Sequence, residues 1–277
     1  MTANLDLDAV ISGSRPSYGG VTFASKSAAV RQLIMVREMV SWLPTGEGAT
    51  GIDVGAKLGD LSALLSDFGI RCLRLDIQPR EDRRNLIVGD GHVLPFRTAS
   101  LDFAVMSNVM AHVMDVEAFM FEIKRVIKPG GRIFILQSNR YGWWKFWGYF
   151  ILRNDRASHL RTFDLWGMKT LLASNYFETE RFFAPYHFYL QAKNWNLLYW
   201  VDRWLEGRVP NALATTWIVV ARRSESEVPR PGLMSKWPLP FVVLVTPFHV
   251  FALKALDIGI RVVLKVTRRP ESGEELT

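Results

Sequence analysis

Residues 51–59 read Gly51-Ile52-Asp53-Val54-Gly55-Ala56-Lys57-Leu58-Gly59. A short apolar run that ends in Asp-Val-Gly and passes a second glycine before an apolar-periodic stretch reads as a buried strand turning sharply into a helix. Glycine removes the Cβ that blocks close approach, so such a turn can bring backbone N–H groups near a ligand. A dinucleotide fingerprint needs G-x-G-x-x-G, and a P-loop needs Gly-Lys followed by Ser or Thr. Neither spacing is present, which weakens both phosphate-binding interpretations.

Working outward, residues 24–43 place Ala29, Leu33, Val36, Val40 and Leu43 at helical spacing, and Pro44, Thr45 and Gly46 end the element. After the glycine turn, 61–69 reads as a helix stopped by Gly69 and 71–77 as a second strand. A third strand is expected at 85–90, a fourth at 101–109, a helix over 116–127 ended by Lys128-Pro129-Gly130-Gly131, and a fifth strand at 132–138. Strands alternating with helices imply βαβ units in a parallel, doubly wound sheet. Right-handed crossovers then place the loops after the strands along one edge, where ligands bind.

Composition narrows the function classes. The chain has 277 residues, 34 Lys+Arg against 27 Asp+Glu, and 49% hydrophobic residues, enough for one large α/β domain with additions. Its single cysteine, Cys72, excludes an internal disulfide and a cysteine-held metal centre, so no metal is expected and a reducing compartment fits. The formal charge of +7 comes without any run of five Lys/Arg, so no nucleic-acid groove is indicated. The first ten residues, with acidic side chains and no apolar run, do not read as a secretory signal, and the expected location is cytoplasmic.

The segment that begins at the glycine turn resembles class I S-adenosylmethionine-dependent methyltransferases, small-molecule enzymes of the ubiquinone-biosynthesis type (the methyltransferase type 11 group). The resemblance covers roughly 80 residues, to Gly131. It rests on Asp53-Val54-Gly55 with Gly59, on Asp76 ending the second strand, and on Gly89-Asp90-Gly91 after the third. Leu94-Pro95-Phe96, Ser100-Leu101-Asp102-Phe103 and Arg125-Val126-Ile127-Lys128-Pro129-Gly130-Gly131 complete it. The implied fold is a Rossmann-like, doubly wound, mostly parallel seven-stranded sheet with helices on both faces, here with a C-terminal hydrophobic helical extension. The implied cofactor is S-adenosylmethionine, held by Asp53, Gly55, Gly59, Asp76, Ile77, Asp90, Gly91 and Asn108. In that pattern Asp76 accepts from the ribose hydroxyls, Asp90 meets the adenine amino group, and the backbone at Asn108 faces the methionine part. The chain departs from the family at Lys57, where the loop usually carries another glycine.

The chemistry agrees with the donor set. A sulfonium cofactor without phosphate needs hydrogen-bond acceptors for its hydroxyls, amine and ammonium, and carboxylates at strand ends supply them. Methyl transfer is an in-line displacement in which proximity and orientation do much of the work, and a general base is needed only for weakly acidic acceptors. The candidate bases are His112, after the fourth strand, and His159, beyond the fifth, with Arg161 two residues on. His92, His187 and His249 read as loop or structural residues.

Acceptor specificity is expected in the segments added after the fifth strand. Of the 10 Trp, 17 Phe and 7 Tyr, 20 fall between Tyr141 and Trp204. A helix and strand are expected within 159–183, an amphipathic helix over 190–206, and a last strand at 215–223. Trp and Tyr interspersed with Lys145, Arg153, Lys193 and Arg203 match either a lid or a membrane-interface face. From Phe241 to Leu253 no residue carries a formal charge, a stretch too short for the roughly 20 residues of a spanning helix. Lys254, Asp257, Arg261 and Lys265 then form a polar stripe, so an in-plane anchor or a dimerisation segment is expected. The domain plan is a helical lead-in (1–46), a methyltransferase domain (47–223) with acceptor-facing insertions (138–213), a linker (224–236) and a hydrophobic tail (237–277). The function implied is methyl transfer to oxygen or carbon of a small or lipid-linked acceptor, with peripheral contact at the inner membrane face. The alternative is a non-catalytic methyltransferase-like binding module, to which Lys57 points. Oligomeric state is not legible.

Overall fold

The computed structural model describes residues 10, 17–18, 21–23, 26–44, 48–56, 60–79, 86–139, 163–184, 204, 214 and 216–231. The chain divides into two units, 1–232 and 233–277. All the elements below belong to the first; the tail expected at 237–277 lies outside the described residues.

Two short strands, β1 (Ser17–Tyr18) and β2 (Val21–Thr22), pair antiparallel. Helix α1 (Lys26–Trp42) follows, then β3 (Thr50–Val54), α2 (Asp60–Ser66), β4 (Arg71–Asp76), β5 (Leu86–Val88) and β6 (Leu101–Ser107). A 3-10 turn at Met110–His112 leads to α3 (Val116–Val126), which passes directly into β7 (Ile127–Ser138). The chain continues with α4 (Leu165–Ser174), β8 (Phe177–Phe183) and β9 (Thr216–Arg223). The expected helix over 190–206 lies outside the described residues apart from Trp204.

Seven strands form one sheet in the order β5-β4-β3-β6-β7-β9-β8. Strands β3 to β7 pair in parallel, and β9 runs antiparallel to both of its neighbours. This is the doubly wound, mostly parallel sheet expected. Alternation along the strands separates two cores. On one face Phe103, Val105, Phe134, Leu136, Ile218 and Val220 pack with Leu33, Ile34 and Met39 of α1 and Leu64 and Leu65 of α2. On the other, Ile52, Val54, Met106, Ile133, Ile135 and Val219 pack with Phe119, Met120 and Ile123 of α3 and Met168 and Leu172 of α4. Strands buried on both faces explain the near-continuous apolar runs in the sequence.

Helix α3 shows why local sequence sets its limits. Asp115 caps it, its carboxylate accepting from the N–H groups of Glu117 and Ala118. Val116, Phe119, Met120, Ile123 and Val126 form the buried stripe. The helix stops at Val126, earlier than the run to Ile127 suggests, because Ile127 turns extended and pairs with Leu101 in the sheet. Asp115→Ala is expected to lower stability by about 1 kcal/mol, the usual loss for a helix cap; the midpoint of urea unfolding measures it.

Candidate cofactor site at the strand ends

The carboxyl ends of β5, β4, β3, β6 and β7 lie side by side, and each expected ligand residue that is described sits on or just past one of them. Asp53 is the penultimate residue of β3 and Gly55 follows it; Asp76 ends β4; Asp90 and Gly91 follow β5; Asn108 follows β6. Gly59, Lys57 and His159 lie outside the described residues. His112 is described, exposed at the end of the 3-10 turn, with its N–H bonded to the Val109 carbonyl at 2.9 Å.

Two glycines show how close the loops come. Gly55 has φ +75°, and a Cβ there would stand 2.8 Å from Val109 Cγ2, in the loop after β6. At Gly91 a Cβ would meet Phe119 Cε2 of α3 at 2.5 Å and Val54 Cγ1 at 3.3 Å. The loop after β5 is thus tucked against α3 and the end of β3, and only glycine fits. One expectation about the turn changes. The N–H groups of Gly55 and Ala56 both bond to the Leu75 carbonyl, at 2.8 and 3.1 Å, so they fasten the turn to β4 instead of pointing at a ligand. The glycine here serves close approach.

The carboxylates differ in setting. Asp53 is buried and faces Arg74, also buried, across the β3–β4 ladder. Burial first, and then the Asp53 charge, push the neighbouring Cys72 thiol well above its usual range, so that cysteine is inert. Asp76 is only 5% exposed, and one carboxylate oxygen accepts from the Gln78 N–H at 2.9 Å. Next to it Ile77 is 71% exposed, an apolar side chain standing in solvent at the rim of the strand ends. Asn108 adopts φ +56°, its N–H bonds to the Leu136 carbonyl at 2.7 Å, and its Oδ1 accepts from Ser138 Oγ at 3.3 Å. It ties the ends of β6 and β7 together.

The loop carrying Asp90 is anchored twice. Glu122 of α3 accepts from the Leu94 N–H at 2.8 Å, and Arg125 donates to the carbonyls of Leu94 and Phe96 at 2.9 and 2.7 Å while pairing with Glu122 at 2.7 Å. The Arg125 contact holds the Glu122 carboxyl below its ordinary range. These contacts join two of the sequence signals, Leu94-Pro95-Phe96 and Arg125, in space. The second anchor is His92, which the sequence presents as a plain loop residue. Its Nδ1 lies 2.6 Å from Asp90 Oδ1 and its Nε2 3.1 Å from the Asp115 carbonyl. Its N–H also donates to Asp90 Oδ1 at 3.0 Å. The Asp-x-His spacing, an Asx turn, is the signal that could have found it.

Backbone and then side-chain hydrogen bonds from His92 hold the Asp90 carboxyl below its ordinary value. A folded-state pKa below the unfolded one gives stability that is complete above the unfolded pKa and lost as pH falls through the folded one. In His92→Ala the side-chain donor is lost and the backbone donor stays. The Asp90 pKa is expected to rise toward its ordinary value without reaching it, and a carboxyl-carbon NMR titration of both proteins measures the shift.

The site tests well against S-adenosylmethionine. Asp76 offers a nearly buried acidic acceptor beside the exposed apolar Ile77, Asp90 and Asn108 stand at the neighbouring strand ends, and no anion cradle is required. The sheet has the fold of class I S-adenosylmethionine-dependent methyltransferases, and that fold with the matched domain below implies S-adenosylmethionine as the cofactor. Residues 52–135 match the family model described as a methyltransferase domain. Over 118 residues the chain is 30% identical to a ubiquinone/menaquinone biosynthesis C-methyltransferase of Cereibacter sphaeroides, covering 37% of this chain and 47% of that protein. Over 116 residues it is 25% identical to the sterol 4-C-methyltransferase of Caenorhabditis elegans, covering 36% and 35%. The chain thus spans less than half the length of either relative. A solved S-adenosylmethionine-dependent methyltransferase from Archaeoglobus fulgidus shares the fold, with a TM-score of 0.51 at 14% identity over 69% of this chain and 94% of that one.

Proposed function

We propose that this protein transfers a methyl group from S-adenosylmethionine to carbon of a small, lipid-linked acceptor at the cytoplasmic membrane face. The observation that carries the cofactor half is the buried Asp76 carboxylate beside exposed Ile77, in line with Gly55, Asp90 and Asn108 along the strand ends. Asp76 would hold the ribose hydroxyls, Ile77 would cover a face of the adenine, and Asp90, oriented by its hydrogen bonds from His92, would accept from the adenine amine. When bound, S-adenosylmethionine supplies an electrophilic methyl group. Asn108, on the far side of β3 from Asp76, would border the methionine end, which directs the reacting centre toward β6 and β7.

Carbon is preferred to oxygen because both relatives named above are C-methyltransferases. Lipid linkage and the membrane face are supported by sequence alone: the uncharged stretch from Phe241 to Leu253 and the cationic residues beyond it. Among the described residues no helix is long and apolar enough to cross a membrane. His112 and His159 stand as candidate bases on sequence position.

The test is a radiolabelled methyl-transfer assay offering membrane lipid extract and a soluble metabolite pool in parallel. Label in the lipid fraction is expected. Label in the soluble pool alone would remove the lipid-linked acceptor. Binding of S-adenosylhomocysteine with no transfer to either pool would favour the binding-module alternative.

A further inference from the structure

His92 presents both of its ring nitrogens to acceptors. Nδ1 lies 2.6 Å from Asp90 Oδ1, and Nε2 lies 3.1 Å from the main-chain carbonyl of Asp115, the residue that caps α3. A neutral imidazole has a single N–H, so it donates to one of these oxygens and turns a lone pair on the other; only the imidazolium donates to both. Neither oxygen can reverse its role. A main-chain carbonyl carries no hydrogen, and the Asp90 carboxyl, held below its ordinary range, stays ionised. Phe119 of α3 fixes the plane of the ring from the side, edge to face with centroids 6.1 Å apart.

The main chain on either side of Asp90 is already held. The Gly89 N–H donates to the Asp76 carbonyl at 3.1 Å, and the Leu94 N–H donates to Glu122 at 2.8 Å. What remains to be set is the direction of the Asp90 carboxylate. His92 sets it with two hydrogen bonds to one oxygen, Oδ1, from the main-chain N–H and from Nδ1. Oδ2 is left without a hydrogen bond among the described residues, on a side chain that is 55% exposed. The other charged groups of the elements packed around the ring are engaged elsewhere. On α3 and its cap, the Asp115 carboxylate accepts from the N–H groups of Glu117 and Ala118, Glu117 accepts from Asn175, and Glu122 pairs with Arg125. The end of β3 turns the apolar Val54 toward the loop at Gly91.

We infer that His92, as the imidazolium, is a positioning residue that presents Asp90 Oδ2 to the cofactor's adenine amine, and that cofactor affinity weakens when the ring loses its second proton. The inference rests on the placement of Asp90 at the adenine proposed above. Loss of that proton leaves two arrangements, and each loosens Asp90. With the remaining hydrogen on Nε2, the Nδ1 lone pair faces Oδ1 and drives the carboxylate away. With it on Nδ1, the tie to the Asp115 carbonyl is lost, and with it the link between this loop and α3. The acid side has a different origin, because Asp90 accepts from the amine only while ionised. Its lowered carboxyl places that loss below the ordinary carboxylate range, so the site is strongest at weakly acidic pH.

The experiment is calorimetric titration of the full chain with S-adenosylhomocysteine from about pH 5 to about pH 8, the interval in which histidine changes charge. Wild type is expected to lose about fivefold in affinity across it, the upper end for coupling through an exposed ion pair. His92→Gln keeps a donor that does not titrate. It is expected to bind at the acid end as weakly as wild type does at the alkaline end, with a flat profile between. A flat profile there also excludes His112, the exposed histidine of the 3-10 turn, as the source of the dependence. Carboxyl-carbon NMR of the chain without ligand reads the pair directly: the Asp90 signal is expected to shift a second time as His92 titrates, and not to do so in His92→Gln. The inference is overturned by a wild-type affinity that holds or rises over this interval, by parallel profiles in the two proteins, or by an Asp90 signal that stays silent. Failure of S-adenosylhomocysteine to bind wild type at any pH overturns the cofactor reading instead, and the NMR arm still reports whether His92 governs Asp90.

Discussion

Replacing Asp76 by Ala is expected to weaken binding of S-adenosylhomocysteine by about 100-fold. A hydrogen bond to a charged group contributes about 1.5–3 kcal/mol. Two of them, one to each ribose hydroxyl, would amount to about 3 kcal/mol at the lower end of that range, and each 1.4 kcal/mol is a factor of ten in affinity. Asp76 is suited to this because it is nearly buried, so water screens its charge little. The carboxylate has a second duty, since it accepts from the Gln78 N–H and shapes the chain just past β4. Asp76→Asn separates the two roles: it keeps an oxygen for Gln78 and loses the charge, so an intermediate loss is expected. Calorimetry on the three proteins checks both values, and equal affinity in all three would remove Asp76 from the cofactor site.

Gly51→Ala is expected to cost about 3 kcal/mol of stability, the larger end of what an inserted methyl does in a packed core. Gly51 pairs with Phe103 in the β3–β6 ladder. A Cβ at this position would run into the Phe103 carbonyl oxygen and meet Cγ and Cδ2 of its ring at 2.5 Å. The ring can turn, but the carbonyl belongs to a central strand and cannot. At roughly 3 °C per kcal/mol for a domain of this size, the melting temperature should fall by about 10 °C. Adding Phe103→Leu to Gly51→Ala should recover only the part due to the ring, so the double variant stays well below Phe103→Leu alone. Full recovery would show that the side chain, not the backbone, sets the limit.

The strand ends are legible in the sequence because chemistry and chain direction coincide there. Asp53-Val54-Gly55, Leu75-Asp76 and Gly89-Asp90-Gly91 each mark the point where an apolar run leaves the sheet, and the structure puts those points side by side. The tethers between elements are not legible. His92 reaches Asp115 across 23 positions, and Arg125 reaches Leu94 across 31. Such pairings come from how α3 lies against the sheet, which periodicity does not encode. The β1–β2 pair is absent from the sequence reading although Gly19-Gly20 between two short runs is a hairpin signal. Gln137 escapes for a different reason. The expected strand at 132–138 includes it, but only the ladder with β9 shows that this glutamine is an interior position opposite Trp217.

The place of β9 has a consequence for how the protein is made. This strand, late in the chain, inserts between β7 and β8, and among the described strands β8 pairs with it alone. Until residues 216–223 have left the ribosome, β7 presents an open apolar edge and β8 has nothing to pair with in this sheet. Synthesis proceeds at about 5–20 residues per second. The 77 residues between the end of β7 and the start of β9, 139–215, therefore impose a wait of several seconds, longer than many domains need to fold once complete. During that interval the unpaired edge of β7 is open to pairing with another strand.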